Sequence, residues 1–282
     1  MSRASHSPRS PLFAHALDAP SAFRPEDLIA AVRRSRALES APIPPLCVLD
    51  FDGDLADGLV QDGLTTPVAS WACFHTQMFG LDLGGLSCGV VPRTIGGPYA
   101  VLVAEQLLAA GAQVIVGLTS AGRVSPHLPL PSIVVAERAV RDEGTSLHYL
   151  PNGEVVDTPS PALADHLAGT LADVGSVSRG LVWTTDAPYR ETRRQLDHWA
   201  GAGALAVEMQ AASLFAFGAA RGATVGIVAL VSNSVDHTGE QFDTGAHDDR
   251  LRVLSAVAHA AARFLDARDR GAVPSSSETR HG

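Results

Sequence analysis

The chain has 282 residues, of which 46% are hydrophobic and 18% are charged, and its formal net charge at pH 7 is -9. This is the composition of a globular protein rather than a disordered one, and the length allows one large α/β domain or two small ones. The acidic balance argues against a nucleic-acid phosphate backbone as a partner, although a local cluster of donors can still hold a small anion.

The cysteines and the N-terminal residues indicate the cellular compartment of the protein. Cys47, Cys73 and Cys88 show neither close pairing nor metal-ligand spacing, which fits a reducing environment. Residues 1–12 have no apolar run of signal-peptide length, and nowhere do 18 uncharged apolar residues follow one another. We therefore expect a cytoplasmic protein with no metal site and no membrane partner.

Composition also changes at both ends of the chain. Residues 1–22 are rich in Ser, Pro, His and Ala, which predicts a loosely ordered arm, and residues 269–282 are expected to form a disordered tail. Residues 23–268 are expected to form a single α/β domain. Hydrophobic spacing of three and four predicts the helices of this domain, which are expected at 25–38, 55–60, 99–110, 161–174, 192–201, 208–220 and 248–268.

Short apolar runs between these helices predict buried strands. The expected strands are 46–49, 72–78, 86–91, 113–118, 132–136, 179–184, 204–207 and 225–231. The fourth of these is expected to break at Thr119-Ser120-Ala121-Gly122. Alternating strands and helices predict a three-layer α/β sandwich around a mostly parallel mixed central sheet, with one cleft along the carboxyl ends of the strands.

A glycine turn, Thr94-Ile95-Gly96-Gly97-Pro98, precedes the third predicted helix. Such a turn can aim free backbone N–H groups at an anionic or hydroxyl-rich ligand, and the hydroxyls of Thr119 and Ser120 would add donors. The glycines could equally serve only to let helix and strand pack closely, and the sequence leaves both interpretations open.

Three aspartates surround a glycine directly after the first strand, in Asp50-Phe51-Asp52-Gly53-Asp54. They could bind a metal, and Asp-x-Asp-Gly is similar to phosphotransferases with an aspartyl nucleophile. A turn in which aspartates cap the next helix is favoured, since no lysine and Thr/Ser motif of that class follows.

Two other segments carry polar groups at predicted strand ends. Residues 184–191 combine hydroxyls, a carboxylate, an aromatic ring and a cation. Glu208 begins the small-residue helix at 208–220, and burying its carboxylate costs several kcal/mol unless it has a partner. Glu208 is therefore a candidate for holding ligand hydroxyls.

Four motifs together resemble the purine nucleoside and uridine phosphorylase superfamily, and the similarity covers roughly residues 47–266. They are Ile95-Gly96-Gly97-Pro98, then Ala139-Val140-Arg141-Asp142-Glu143-Gly144-Thr145-Ser146 with His148-Tyr149, then Thr184-Thr185-Asp186, and Val207-Glu208-Met209-Gln210-Ala211-Ala212. The resemblance implies a nucleoside phosphorylase-like fold, dimers commonly assembled into hexamers, and phosphate-dependent cleavage of a nucleoside to free base and ribose 1-phosphate. It implies no cofactor, with inorganic phosphate as co-substrate.

The resemblance also implies roles for individual residues. Gly53, Asp54, Thr119 and Ser120 would bind phosphate, and Glu208, Met209 and Gln210 would bind ribose. Thr185, Asp186, Tyr189 and Arg190 would contact the base, while Asn233 or Asp236 would assist its departure as catalytic residues.

Departures from the family pattern concentrate at the phosphate site. No arginine follows Gly53-Asp54, and the position of a second arginine falls on Val116 or Gly117. The second ribose acid is Gln210, which brings no charge. Losing both guanidiniums should weaken phosphate binding by several kcal/mol unless other cations substitute. The candidate substitutes are Arg93, Arg123, Arg141 and His127.

Three functions therefore stay open: a nucleoside phosphorylase, a nucleoside hydrolase that uses water, and a diverged nucleoside-binding protein without turnover. Phosphorolysis is the first hypothesis because it follows the resemblance directly. A hydrolase uses water in place of phosphate and so does not need the missing arginines, but it needs a general base such as Asp54 or Glu208. The choice between a purine and a pyrimidine base stays open, since Asn233 favours a 6-oxopurine and residues 141–149 look closer to uridine-cleaving relatives.

Overall fold

In the computed structural model, which describes residues 11–13, 16–235 and 247–272, helices and strands alternate as the hydrophobic pattern predicts. The helices are α1 (Pro25–Arg36), α2 (Asp54–Gln61), α3 (Gly97–Ala109), α4 (Pro161–Leu171), α5 (Arg193–Gly201), α6 (Ala211–Arg221) and α7 (His247–Ala272). The strands are β1 (Leu46–Asp50), β2 (Thr66–Pro67), β3 (Phe79–Leu83), β4 (Leu86–Pro92), β5 (Val114–Arg123), β6 (Ser132–Asp142), β7 (Val155–Asp157), β8 (Val177–Thr185), β9 (Ala204–Glu208) and β10 (Val225–Ser234).

All ten strands belong to one mixed sheet in the order β10-β6-β8-β9-β5-β1-β4-β3-β2, with β7 beside β6. The pairs β1–β4, β1–β5, β10–β5, β6–β8 and β8–β9 are parallel, and the other pairs are antiparallel. An additional pairing of β10 with β5 closes the strands β5, β10, β6, β8 and β9 into a ring. This closure brings the ends of β9 and β10 beside the carboxyl half of β5.

Helices cover both faces of the sheet, which confirms the predicted three-layer arrangement. Cys47 and Leu49 of β1 face the core packed by α3 and α6, whereas Leu46 and Val48 face the core packed by α2, α4 and α7. This alternation is the period of two of an extended strand with both faces buried.

The glycine turn before α3 is explained by backbone conformation and close packing. Gly96 has φ +88, in the left-handed region, and a Cβ built on Gly97 would lie 2.2 Å from Ser213 Oγ of α6. Close packing of α3 on α6 therefore requires glycine at position 97. No ligand role is needed to explain either residue.

The structure extends the predicted strands at 132–136 and 225–231 to residues 142 and 234, and adds the unpredicted strands β2, β3 and β7. It also overturns two specific expectations. β5 does not break at Thr119, because residues 119–123 continue to pair with β10 and then with β9. Residues 72–78 form no strand, although Ala72, Cys73 and Met78 are buried, so their apolar character reflects packing alone.

The two ends of the chain bear on the predicted domain boundaries. Residues 11–13 of the predicted arm form a 3₁₀ turn, α1 packs against α3, and α7 extends to Ala272, beyond its expected end at residue 268. Residues 1–10, 14–15 and 273–282 lie outside the described ranges, so the disordered arm and tail stay predictions. No helix within those ranges is long and apolar enough to cross a bilayer.

Candidate active site

A cavity of about 530 Å³, here called the strand-end cavity, lies where β5, β9 and β10 meet the turns that follow β1, β4 and β8. Residues from all three groups predicted from the sequence line it. They are Thr119 and Ser120 from the phosphate group, Glu208, Met209 and Gln210 from the ribose group, Tyr189 from the base group, and Asn233. The one cleft expected from the sequence thus gathers seven of the predicted site residues.

Glu208 is the most enclosed acid of this cavity, with 4% of its surface exposed. Its Oε1 accepts a hydrogen bond from the Thr184 hydroxyl, and its Oε2 accepts from the backbone N–H groups of Gln210 (2.6 Å) and Ala211 (2.8 Å). Burial raises the pKa of Glu208 to about 7 despite these three bonds. An ionised carboxylate can accept about four hydrogen bonds, so one lone pair of Oε1 remains for a ligand hydroxyl.

The start of α6 explains why the chain places Glu208 there. Ala211, the first residue of α6, has an N–H with no acceptor inside the helix, and the Glu208 carboxylate supplies one near the positive helix end. Thr184 at the end of β8 links the same group to α6, because its Oγ1 also accepts from the Ala212 N–H at 3.0 Å. Two strand ends and one helix start therefore fix the carboxylate.

The groups predicted to bind phosphate make contacts within the chain. The Ser120 N–H donates to Asp52 Oδ2 (3.0 Å), and the Gly53 N–H donates to Asp50 Oδ1 (3.1 Å). The Thr119 hydroxyl donates to the Ser120 carbonyl (2.7 Å), and Asp54 pairs with Arg250 (3.1 Å). Gly53 and Asp54 do not line the strand-end cavity.

None of the four candidate substitute cations lines this cavity either. Arg93 pairs with Asp57, and Arg141 donates to Ser146 Oγ and to the carbonyls of residues 150 and 151. His127 is exposed. Arg123 reaches the lining indirectly, because its Nε donates to Ser234 Oγ at 3.0 Å and Ser234 lines the cavity.

Gly117 shows why an arginine is absent from the interior of β5. A Cβ at this position would lie 2.7 Å from Ile227 Cδ1 and 2.7 Å from Phe51 Cζ, and both of those side chains are buried. A long side chain at position 117 would need the space that Phe51 and Ile227 already fill. An arginine at position 117, one of the two positions considered, would therefore not fit this local core.

The predicted base contacts divide between two cavities. Tyr189 lines the strand-end cavity with its side chain fully exposed, and Asn233 lines it after a bulge in β10. Asp186 instead accepts from the Gly144 N–H (3.0 Å) and lines a second cavity of about 610 Å³ beside the N-terminal residues. Burial raises the pKa of Asp186.

The remaining predicted residues lie outside the cavity lining or outside the described ranges. Thr185 accepts from the Ala187 N–H, and Arg190 is exposed on a 3₁₀ turn. Asp236 lies outside the described residues. The roles assigned to Thr185, Asp186, Arg190 and Asp236 stay predictions.

Two carboxylates of the lining, Asp52 and Glu191, were not among the predicted site residues. Asp52 was expected to be one of three capping aspartates, and the structure gives that role to Asp50, which accepts from both Gly53 and Ala56 N–H groups. Burial raises the pKa of Glu191 to about 7. The density of polar groups in residues 184–191 was the only sequence signal for Glu191.

The described residues contain no group of three or more His, Cys, Asp or Glu side chains that could hold a metal ion. The side chains that do line the cavity offer carboxylates, hydroxyls and amides, together with backbone N–H groups. Such a set can orient sugar hydroxyls, accept a proton and donate to a heterocycle.

The chain is similar in sequence to a family model and to several known proteins. Residues 45–267 match the family model described as the phosphorylase superfamily. A guanosine phosphorylase from Halorubrum lacusprofundi is 29% identical over 160 residues, which cover 55% of this chain and 63% of that protein. A uridine phosphorylase from Salmonella typhimurium is 25% identical over 170 residues, covering 53% and 65%. The chain thus spans less than two thirds of the length of either relative.

The fold comparison agrees with the family match. A crystal structure of uridine phosphorylase from Vibrio fischeri superimposes with a TM-score of 0.68 and 23% identity, covering 80% of this chain and 95% of that one. This likeness establishes the fold and confirms the nucleoside phosphorylase-like architecture predicted from the motifs.

Proposed function

The chain belongs to the phosphorylase superfamily, and we propose that it cleaves the N-glycosidic bond of a nucleoside to release the free base. One observation carries the proposal: Ser120, Glu208, Gln210 and Asn233, which come from three different strand ends, line one cavity of about 530 Å³. Its size lies within the range of small-molecule sites, about 300–1,000 Å³.

Each of these residues has a task in the reaction. Glu208 accepts a hydrogen bond from a ribose hydroxyl through the lone pair that its chain partners leave, and Gln210 and Met209 line the same cavity. The base departs with the electron pair of the C1′–N bond. Asn233 donates its amide N–H to the base as negative charge develops there, which lowers the barrier.

Phosphate is the first candidate acceptor, because the relatives named above are phosphorylases. Inorganic phosphate would then attack C1′ and leave as ribose 1-phosphate. The proposal includes a homo-oligomer, a dimer or trimer of dimers, and no dedicated cofactor, as the resemblance implies.

Water is the second candidate acceptor, and a specific observation favours it. The described residues that line the cavity include Asp52, Glu191 and Glu208 but no Arg, Lys or His. A site that holds a phosphate dianion is expected to contain at least one guanidinium or ammonium group.

The test is a panel of purine and pyrimidine nucleosides incubated with the purified full chain, with and without inorganic phosphate. We expect free base to appear from at least one nucleoside, measured by absorbance or chromatography, with the sugar product identified as pentose or pentose 1-phosphate. The absence of base release from every nucleoside under both conditions would contradict the proposed function and leave nucleoside binding without turnover.

A further inference from the structure

The Asp52 carboxylate contacts Ser120, one of the residues that the resemblance assigns to a bound anion. Its Oδ2 accepts from the Ser120 N–H at 3.0 Å, and both residues line the strand-end cavity together with Glu208. Gly53, Asp54, Thr119 and Ser120, here called the anion cradle, were predicted to bind phosphate. A carboxylate of the chain itself therefore already accepts the hydrogen bond of one donor of this cradle. The two residues are 68 positions apart in the sequence.

We propose that Asp52 makes water the acceptor in this enzyme, by excluding phosphate from the cradle and by acting as the general base that activates the attacking water. The proposal rests on the proposed cleavage of a nucleoside and adds the identity of the acceptor. It assigns the role of general base to Asp52, whose hydrogen-bond partner Ser120 lies in β5.

The first support is the charge of the cavity. Asp52, Glu191 and Glu208 are its charged residues within the described ranges, and all three are acids. A phosphate dianion that entered this cavity would meet carboxylates and, among the described lining residues, no compensating cation.

The second support is that the donors of the cradle are already used. The Ser120 N–H donates to Asp52, the Gly53 N–H donates to Asp50, and the Thr119 hydroxyl donates to a backbone carbonyl. Phosphate would have to break these bonds before it formed its own. Water needs only one acceptor and one donor, which a carboxylate and a hydroxyl can supply.

The third support is the rigidity of the turn that carries Asp52. Asp50 clamps the turn by accepting from the N–H groups of Gly53 (3.1 Å) and Ala56 (2.9 Å). Gly53 has φ +92, and a Cβ there would lie 2.7 Å from Arg93 Cγ, so the backbone fits closely under the arginine. Asp52 is thus held against Ser120 by the turn as well as by its own bond.

The chemical step follows from this placement. The water oxygen forms a bond to C1′ while the C1′–N bond breaks and its electron pair leaves with the base. Asp52 takes one proton of the water through Oδ1, which makes no hydrogen bond to the described residues. That proton is later released to solvent, and the base takes one up, so nucleoside and water give pentose and free base.

The experiment compares Asp52→Asn with Asp82→Asn in the full chain. The amide oxygen of the Asp52→Asn variant can still accept a hydrogen bond from the Ser120 N–H. The change therefore removes the proposed general base and its negative charge but keeps the hydrogen bond to Ser120. Asp82 is the matched control, because it also accepts a backbone N–H at a turn, from Gly85 at 2.9 Å, and lies outside the cavity. Nucleoside turnover and binding of inorganic phosphate, by calorimetry, are measured for each protein.

We expect the wild type to release base equally with and without phosphate and to produce free pentose. Asp52→Asn should lower kcat for hydrolysis by about 100-fold or more, the usual contribution of a general base, and should bind phosphate more tightly than the wild type. Asp82→Asn should match the wild type in both measurements.

Three results would overturn the inference. Wild-type turnover that requires phosphate and yields pentose 1-phosphate would reject it while leaving the proposed cleavage intact. Hydrolysis that persists at the wild-type rate in Asp52→Asn would show that Asp52 is not the general base. Tight phosphate binding by the wild type would reject the exclusion, and this binding test does not depend on finding the correct nucleoside.

Discussion

Glu208 is a buried acid whose environment pulls its pKa in two directions. Three hydrogen bonds favour the ionised form, yet burial outweighs them and raises the pKa to about 7. The group therefore changes its protonation state within the physiological range, in the strand-end cavity where the proposed function places a ribose hydroxyl. A protonated Glu208 must donate its own proton and offers fewer lone pairs to a sugar.

The first prediction concerns the pH dependence of turnover. In its proposed ribose role Glu208 must be ionised to accept a hydrogen bond from the sugar, so we expect kcat/KM to rise as the pH increases through about 7 and then to level off. The measurement is a pH profile of base release between about pH 5 and 9, which brackets this pKa. Glu208→Gln should have low activity and should lose this rise, since glutamine does not titrate.

Glu191 provides the matched control for this profile, because burial also raises its pKa to about 7 and it lines the same cavity. It makes no contact with Glu208 or the start of α6 among the hydrogen bonds of the described residues. Glu191→Gln should therefore keep the rise through the neutral range. If Glu191→Gln abolished the rise and Glu208→Gln preserved it, the ribose role of Glu208 would be wrong.

At the scale of single residues, the sequence predicts the hydrogen-bond partners of some side chains and not those of others. The cost of burying Glu208 beside a helix start could be argued from local sequence, and its partners at Gln210 and Ala211 are two and three residues away. Asp52 could not be placed in the same way, because its partner Ser120 is brought to it by β1 and β5 pairing side by side. Contacts of that kind depend on sheet register.

Among the elements, β5 contributes most to the site, and its length was underestimated. A run of small and hydroxyl residues at 119–122 normally indicates a turn, but here it forms ladder hydrogen bonds with β10 and β9. Tertiary pairing therefore overrides local propensity. The strands β1 and β9, which are continuous apolar runs in the sequence, were predicted to within one residue of their observed ends.

The second prediction tests the packing around β5. Gly117→Ala would place a methyl group against Phe51 and Ile227 in the buried core, and overpacking of this kind costs about 1–3 kcal/mol. We expect the free energy of unfolding to fall by that amount in urea denaturation. Because Phe51 precedes Asp52, nucleoside turnover should fall as well.

Gly169→Ala is the matched control. Gly169 lies within α4, is exposed, and has no atom within 4 Å of a built Cβ. Alanine is favoured over glycine inside a helix by about 0.5–1 kcal/mol, so this variant should be slightly more stable than the wild type. Equal stability of the two variants would show that the space around Gly117 is not limiting.

The architecture of the whole molecule was predictable to the level of its layers. Alternating apolar and amphipathic segments specify helices on both faces of a mixed sheet, and the structure has them. The closed ring of β5, β10, β6, β8 and β9 could not be predicted from that alternation, because β5 and β10 are far apart in the sequence. This ring creates the strand-end cavity, so the fold class was easier to predict than the site.

The third prediction concerns the stability of the molecule as a function of pH. Burial raises the pKa of Asp50 to about 6 and that of Glu208 to about 7, both above their usual values. The folded state therefore binds more protons than the unfolded state between about pH 4 and 7, and stability must fall as the pH rises through this window. A shift of about two pKa units corresponds to roughly 3 kcal/mol for each group.

The net charge of -9 at pH 7 acts in the same direction, because self-repulsion grows as carboxylates ionise. Urea denaturation at intervals between about pH 5 and 8 should therefore give a falling free energy of unfolding. Glu208→Gln and Asp82→Asn each remove one negative charge, but only the first removes a buried titrating group. The fall across this range should be shallower in Glu208→Gln and unchanged in Asp82→Asn, whereas a wild-type stability that rose with pH would contradict the burial of ionisable Asp50 and Glu208.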